Sequence, residues 1–331
     1  MKTIRDEDTD CAFFGIGGTS RKEVKMMQYI DIGGSGLRAS VLGLGCMRID
    51  ELSGRALSAL IDHCQTLGIN LFDHADIYGG GSCEEGFGNY LAEHPSHREK
   101  MIIQSKCGIC KGYYDLSKEY ILKSAEDILR RLKTDYLDIF LLHRPDTLME
   151  PDEIAEAIDA LYTSGKARYF GVCNMNPAQI KLLQKAFSQK IIVDQLQFGV
   201  AHTGMIDKGI YVNMESRQSV DHDGGVLEFC RRKGLTIQAW SPMMYGFFEG
   251  IILGSEKYPE LNAVLNRIGE EKGVTAGAVA IAWILRHPAK IQAMTGATDL
   301  SLLTDMAKAA DITLSRQEWY ELYLAAGNPL P

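Results

Sequence analysis

Short apolar runs and amphipathic stretches alternate about eight times along this chain, and that alternation leaves few folds open to it. It is the pattern of parallel βα units, because each buried strand must return through a helix before the next can pair beside it. Strands are expected at 42–46, 69–73, 101–105, 136–142, 168–173, 191–197, 235–240 and 291–295. Eight such units make a (β/α)8 TIM barrel, an α/β fold that presents its chemistry at the C-terminal ends of the strands. The clearest helix follows Ser117, a capping residue, with Ile121, Leu122, Ala125, Ile128, Leu129 and Leu132 at helical spacing. Amphipathic stretches near 55–67, 84–93, 153–163, 177–187, 225–233 and 299–309 supply further helices, and VAIAWILRH reads as a buried one too short to span a bilayer. Ahead of the first unit, QYIDI, the turn Gly33-Gly34-Ser35-Gly36 and LRASVL read as a hairpin.

Residues 1–26 are mixed in charge and lack an apolar period, so they are expected to form a loosely ordered extension to a single barrel domain over 27–331. Asp6, Glu7, Asp8 and Asp10 argue against a transit peptide. Two long segments exceed the minimal alternation: 199–224, a functional or mobile loop after the sixth strand, and 315–331, placed to fold back over the barrel mouth. With GFFEGIIL at 246–253, both are expected to shape a pocket.

A net charge of −8 argues against a general nucleic-acid or membrane-surface binder, since no basic face dominates to neutralise phosphates. Eight scattered cysteines, no secretory signal and no long apolar span point to free thiols in the cytoplasm. The sequence does not fix an oligomeric state.

Asp73, Tyr78, Lys106 and His143 each follow an apolar run, in NLFDHADIY, MIIQSK and IFLLH. A strand-end Asp, Lys or His taken singly is ordinarily a cap or an ion pair. Four together, on the second, third and fourth strands, can converge. An ammonium near Tyr78 lowers the phenol's pKa, Asp73 holds that ammonium, and His143 can hydrogen-bond a carbonyl. Together they can protonate an oxygen while a hydride reaches its carbon.

The strings GINLFDHADIYGGG, IIQSKCGI, DYLDIFLLHRPD and SGKARYFGVCN resemble the aldo-keto reductase superfamily from about Met27 to about Ala326. The resemblance implies a (β/α)8 barrel closed at its bottom by the N-terminal β-hairpin, with a nicotinamide cofactor, NADP(H) or NAD(H), extended across its top, and Asp73, Tyr78, Lys106 and His143 as a catalytic tetrad with Tyr78 as general acid. It implies further that Asn174 and Gln195 bind the nicotinamide carboxamide, that Cys173 stands where a serine is usual, and that Trp240 stacks on the ring. Gly45, Cys46 and Met47, then Ser241, Met243, Gly296, Ala297, Thr298, Leu302, Asp305 and Met306, complete the implied cofactor contacts. The stretch TGATDLSLLTDM departs from relatives that place Lys or Arg around a 2′-phosphate, and its Asp299 would repel that group. The implied activity is reduction of small aldehydes or ketones to alcohols. The alternative is a cofactor-binding sensor or auxiliary subunit with little turnover.

Other signals carry less weight. Cys107 and Cys110 have thioredoxin-like spacing without the thioredoxin context, and GIGG at 15–18 lacks the strand and helix of a phosphate loop. Asp73, His74 and Asp76 suggest a metal-dependent hydrolase, but neighbours on a strand face opposite ways, so no metal is expected. His202 and His222 are read as solvated.

Overall fold

The structure, a computed structural model, describes residues 27–331, so the loose extension expected over 1–26 lies outside the described residues. Eight strands, β1 (Leu42–Gly45), β2 (Leu71–Asp73), β3 (Ile102–Cys107), β4 (Leu137–Leu142), β5 (Ala167–Cys173), β6 (Ile191–Gln197), β7 (Thr236–Trp240) and β8 (Gln292–Thr295), pair in parallel in chain order, and β8 closes on β1. Both faces of the strands are covered, so burial does not alternate along them; all six residues of β4 are buried.

The helices are α1 (Gly54–Thr66), α2 (Ser82–Glu93), α3 (Lys118–Leu132), α4 (Pro151–Thr163), α5 (Pro177–Ala186), α6 (Gly204–Ile210), α7 (Val226–Lys233), α8 (Pro259–Lys272), α9 (Ala276–Leu285), α10 (Leu300–Ala307) and α11 (Arg316–Ala325). In α3 the Ser117 side chain accepts a hydrogen bond from the Tyr120 N–H, and the chain leaves through Lys133 at a φ of 50°. Between those stops Ile121, Ile128, Leu129 and Leu132 bury an apolar stripe, each contributing about 1.5–3 kcal/mol. The helix α8 has no counterpart in the sequence expectations. Its apolar face is thin, and Gly269 interrupts it because a Cβ there would stand 2.7 Å from the Val274 carbonyl oxygen.

The hairpin of Tyr29–Asp31 and Arg38–Ser40 is antiparallel, as expected. Its turn is pressed into the barrel floor. Gly33 has a φ of 59°, its N–H donates to Thr236 Oγ1 at 2.8 Å, and a Cβ on it would lie 2.5 Å from the Ile192 Cβ. Ile32 seals the floor with Leu71, Ile102, Ile139 and Val193, an apolar layer beneath the functional groups.

Two expectations about the extra segments need correction. Residues 315–331 do not cross the mouth: α11 lies on the outer helices, with Trp319 stacked on Trp283 of α9 at 4.7 Å and Glu318 paired with Lys272 of α8. Such flat, paired indoles bury more area against a helix than over an open pocket. The 199–224 segment is also folded, with α6 and a 3-10 turn at Arg217–Ser219, and Tyr323 of α11 donates to its Asp207 at 2.8 Å. His222 is exposed, whereas His202 is half-buried, and burial lowers its imidazole pKa.

Beside the barrel wall, the Asp194 side chain is fully buried, and neither carboxylate oxygen has a hydrogen-bond partner of normal geometry. Burial pushes its pKa well above the usual carboxylate range, and the Met175 backbone only partly offsets that. The folded protein therefore holds a proton here that the unfolded chain releases above about pH 4. Stability contributed by this group falls as pH rises from there through the raised folded value. Asp194→Asn should consequently gain melting temperature relative to the parent at pH 8 more than at pH 5. A melting difference independent of pH would contradict this.

Candidate active site

At the C-terminal end of the barrel, β2, β3 and β4 deliver the expected groups to one place. Lys106 is fully buried and its Nζ donates to both Asp73 oxygens at 2.8 Å, to the His74 carbonyl at 2.6 Å and to the Tyr78 hydroxyl at 3.2 Å. Tyr78 stands after β2 on a turn of three glycines, Gly79, Gly80 and Gly81, all at positive φ, which swings its ring over the strand ends. Its ring centroid is 6.1 Å from that of His143 with the planes at 83°.

Burial sets the electrostatics. It would strip the Lys106 proton, but the Asp73 carboxylate and the Tyr78 phenol outweigh it and hold the ammonium above its ordinary range. For Tyr78 burial dominates: its pKa is pushed up to about 12, with Lys106 opposing and Asp73 adding to the rise. This reverses the expected lowering. Desolvation of the buried ring outweighs the pull of the ammonium 3.2 Å away, and the Asp73 carboxylate offsets part of that pull. His143 is held well below the usual imidazole range by burial, Lys106 and Arg144, so it is neutral at pH 7, and its Nδ1 has no hydrogen-bond partner among the described residues.

Asp73, Tyr78 and His143 line a cavity of about 690 Å³, and the fully buried Lys106 is not among its lining residues. Of the cofactor contacts expected from the sequence, Gly45, Met47, Cys173, Asn174, Gln195, Trp240, Ser241, Met243, Gly296, Ala297, Leu302 and Met306 line it. Cys46, Thr298 and Asp305 are not among the lining residues: Cys46 turns into the core, and Asp305 pairs with Lys308. Asn174, at a φ of 58°, accepts the Trp240 indole N–H at 3.0 Å and so fixes that ring. Cys173 donates to Gln195 Oε1 at 3.5 Å, a long thiol contact.

The sequence reading missed two cations on the cavity wall. Arg48 donates to the Gly296 carbonyl at 3.0 Å, and Arg144 lies 5.8 Å from the ring centroids of Trp240 and Phe247. Each adjoins a named residue, Met47 or His143, which is the only signal that marked them. Phe247, Phe248, Ile251 and Leu253, from the segment expected to shape the pocket, line it, whereas no residue of 199–224 or 315–331 does. His74 faces away and sits edge-on against Phe87 at 4.7 Å, while Asp76 accepts from Tyr120 and Ser124. Among the described residues no group of three or more His, Cys, Asp or Glu could hold a metal. The Cys107 thiol is fully buried and its pKa is raised well above normal, the opposite of a redox-active thiolate. No helix among the described residues is long and apolar enough to cross a membrane.

The family model for the Aldo/keto reductase family matches residues 41–323, nearly the whole described barrel. The chain belongs to that family. As an aldo-keto reductase it is an NAD(P)(H)-dependent oxidoreductase. It is 37% identical to a 6-dehydroglucose reductase of Agrobacterium fabrum over 88% of this chain and 95% of that protein. It is 28% identical to a "Probable voltage-gated potassium channel subunit beta" of Arabidopsis thaliana over 86% of this chain and 92% of that one. A solved aldo-keto reductase from Klebsiella pneumoniae in complex with NADPH superposes with a TM-score of 0.71 at 25% identity, covering 92% of this chain and 97% of its own.

The lining of this aldo-keto reductase's cavity suits a nicotinamide cofactor in its chemistry, with the Asn174 and Gln195 side chains and the Trp240 ring face together on its wall. A second depression of about 500 Å³, lined by Asn262, Asn266, Glu270 and Thr275, shares Leu253 and Leu302 with the first, so the cleft runs on past β8. One end is deep and holds Asp73, Tyr78 and His143. The other is more open and mixes polar with apolar side chains.

Proposed function

We propose that this reductase converts small aldehydes or ketones to alcohols, with Tyr78 as the general acid. One observation carries the reading: a protonated phenol, an ammonium and a carboxylate stand in line at 3.2 and 2.8 Å, beside a neutral imidazole, inside a cavity able to take a cofactor and a substrate. A reduced nicotinamide, when bound, supplies the hydride. Gln195 offers its Oε1 and Asn174 its amide for the carboxamide, and Trp240, held by Asn174, offers a ring face. His143 directs one N–H at the substrate oxygen without the penalty of a buried charge, and Tyr78 releases its proton to that oxygen as negative charge builds there. Lys106 then stabilises the phenolate left behind, with its charge held by Asp73.

A carbonyl panel followed by loss of reduced-nicotinamide absorbance tests this, with 6-dehydroglucose first because the Agrobacterium fabrum relative reduces it by name. Repeated turnover on any member supports the reductase. A single oxidation of bound cofactor without further turnover would favour the sensor reading that the channel-subunit relative raises.

Preference for the phosphorylated cofactor is proposed to be weak. Asp299 caps α10 by accepting from the Leu302 N–H at 2.8 Å, so a carboxylate already fills the helix end where a phosphate would sit. Asp299→Ser keeps a cap and removes the charge. Competing titrations should show NADPH gaining severalfold over NADH in that variant, and an unchanged ratio would remove Asp299 from the argument.

A further inference from the structure

Below the tetrad the barrel interior changes character. At this depth such barrels are ordinarily packed with branched apolar side chains, yet here β3, β6, β7 and β8 contribute Gln104, Gln195, Gln238 and Gln292, all buried. They sit level with one another and with Asp73: Asp73 pairs in register with Gln104, and Gln238 with both Gln195 and Gln292.

The amide orientations follow from the two ends of the chain. Asp73 can only accept, so Gln104 and Gln195 turn their Nε2 toward Oδ1, at 2.6 and 3.2 Å. At the floor the Ser40 carbonyl can only accept, so Gln292 donates to it at 2.6 Å and offers its oxygen upward. Gln238 lies between. Its Oε1 accepts from Gln104 at 2.9 Å and from Gln195 at 3.1 Å, and its Nε2 donates to Gln104 Oε1 at 3.1 Å and Gln292 Oε1 at 2.9 Å. Both hydrogens of Gln104, Gln195 and Gln238 are thereby used.

We propose that Gln238 is a positioning residue for catalysis: by holding the Gln104 and Gln195 amides, which both donate to one oxygen of Asp73, it fixes the carboxylate that orients Lys106. Gln195 is also the residue assigned above to the cofactor carboxamide, so the same hub ties the cofactor seat to the proton-donating line. A satisfied buried network sets one geometry, and a half-satisfied one lets its members turn. The inference rests on the proposed roles of Asp73 and Lys106 and extends them to a residue that touches neither substrate nor cofactor.

Two variants test it. Gln238→Met keeps the volume and removes all four hydrogen bonds, and kcat should fall by about tenfold or more with little change in carbonyl KM. Gln238→Glu is the sharper case. Protonated, its carboxylic acid keeps both accepted bonds and one of the two donated ones; ionised, it can only accept and faces two carbonyl oxygens. Its kcat should approach the parent value near pH 5 and drop at least about tenfold by pH 8, where the parent stays level. Gln292→Met, which cuts the link to the floor and leaves Asp73's donors in place, should lower the melting temperature and keep kcat within about threefold.

Should the Gln238→Met protein fail to fold, the pH step of Gln238→Glu carries the test alone. Parent-like kcat in Gln238→Met, or a level profile in folded Gln238→Glu, would overturn the proposal and leave the network a packing device. The pH step reads the hub whichever group gives the proton, so failure of Tyr78 as general acid would be visible separately, as full turnover in Tyr78→Phe.

Discussion

Tyr78→Phe should lower kcat by about 10²–10⁴ while leaving dinucleotide affinity within a few fold. The substitution removes one hydroxyl from a ring that keeps its place against His143 and above Lys106. Lys106 retains its contacts to Asp73 and the His74 carbonyl, so the protein should stay folded and the loss should fall on the chemical step. With its pKa pushed up to about 12, the free enzyme's phenol keeps its proton across the working range. No falling alkaline limb in kcat/KM should therefore trace to Tyr78 below about pH 10. His143 imposes no acid limb near its ordinary pKa, because burial and two neighbouring cations keep it neutral. Single-turnover absorbance and cofactor fluorescence separate the two quantities. Undiminished turnover in Tyr78→Phe would sink the proton-donor assignment.

Much of this was legible in the chain because strand ends are local. An apolar run that stops at Asp, Lys or His announces both the strand and the group it delivers, and β2, β3 and β4 stop within two residues of the expected places. Facing is legible by parity, and the expected contacts passed over it: Cys46, one residue past β1, turns into the core while its neighbours Gly45 and Met47 line the cavity, as alternation along an extended chain requires. The sign of the Tyr78 shift was not legible, because it depends on how deeply the ring is buried and on how far Asp73 offsets the pull of Lys106. Nor was the hub. Gln104 is two residues before Lys106 and could be placed facing inward, but that Gln238 and Gln292 lie level with it follows from the shear between strands, which no single segment records. The tail was misread for a similar reason: Trp319 looks free to cover a pocket until Trp283 is found 4.7 Å away on α9.

Lys106→Met should damage stability and activity together, and the two losses can be told apart. Removing the ammonium leaves Asp73 buried, with amide donors from Gln104 and Gln195 but no countercharge. Breaking a buried pair from one side costs about 3–5 kcal/mol, which for a chain of this size lowers the melting temperature on the order of 10 °C. Turnover should fall by about 10²–10⁴ as well, since Tyr78 would lose the cation that stabilises its phenolate. Combining the change with Asp73→Asn removes the stranded carboxylate. The double variant should recover much of the lost melting temperature, because the stability penalty belongs to the unpaired charge, and none of the lost turnover, because the phenol still lacks its neighbour. Recovery of both in the double variant would mean that Lys106 supports the fold and leaves Tyr78 to act alone. Recovery of neither would mean that the pair's packing, and not its charge, holds the barrel mouth.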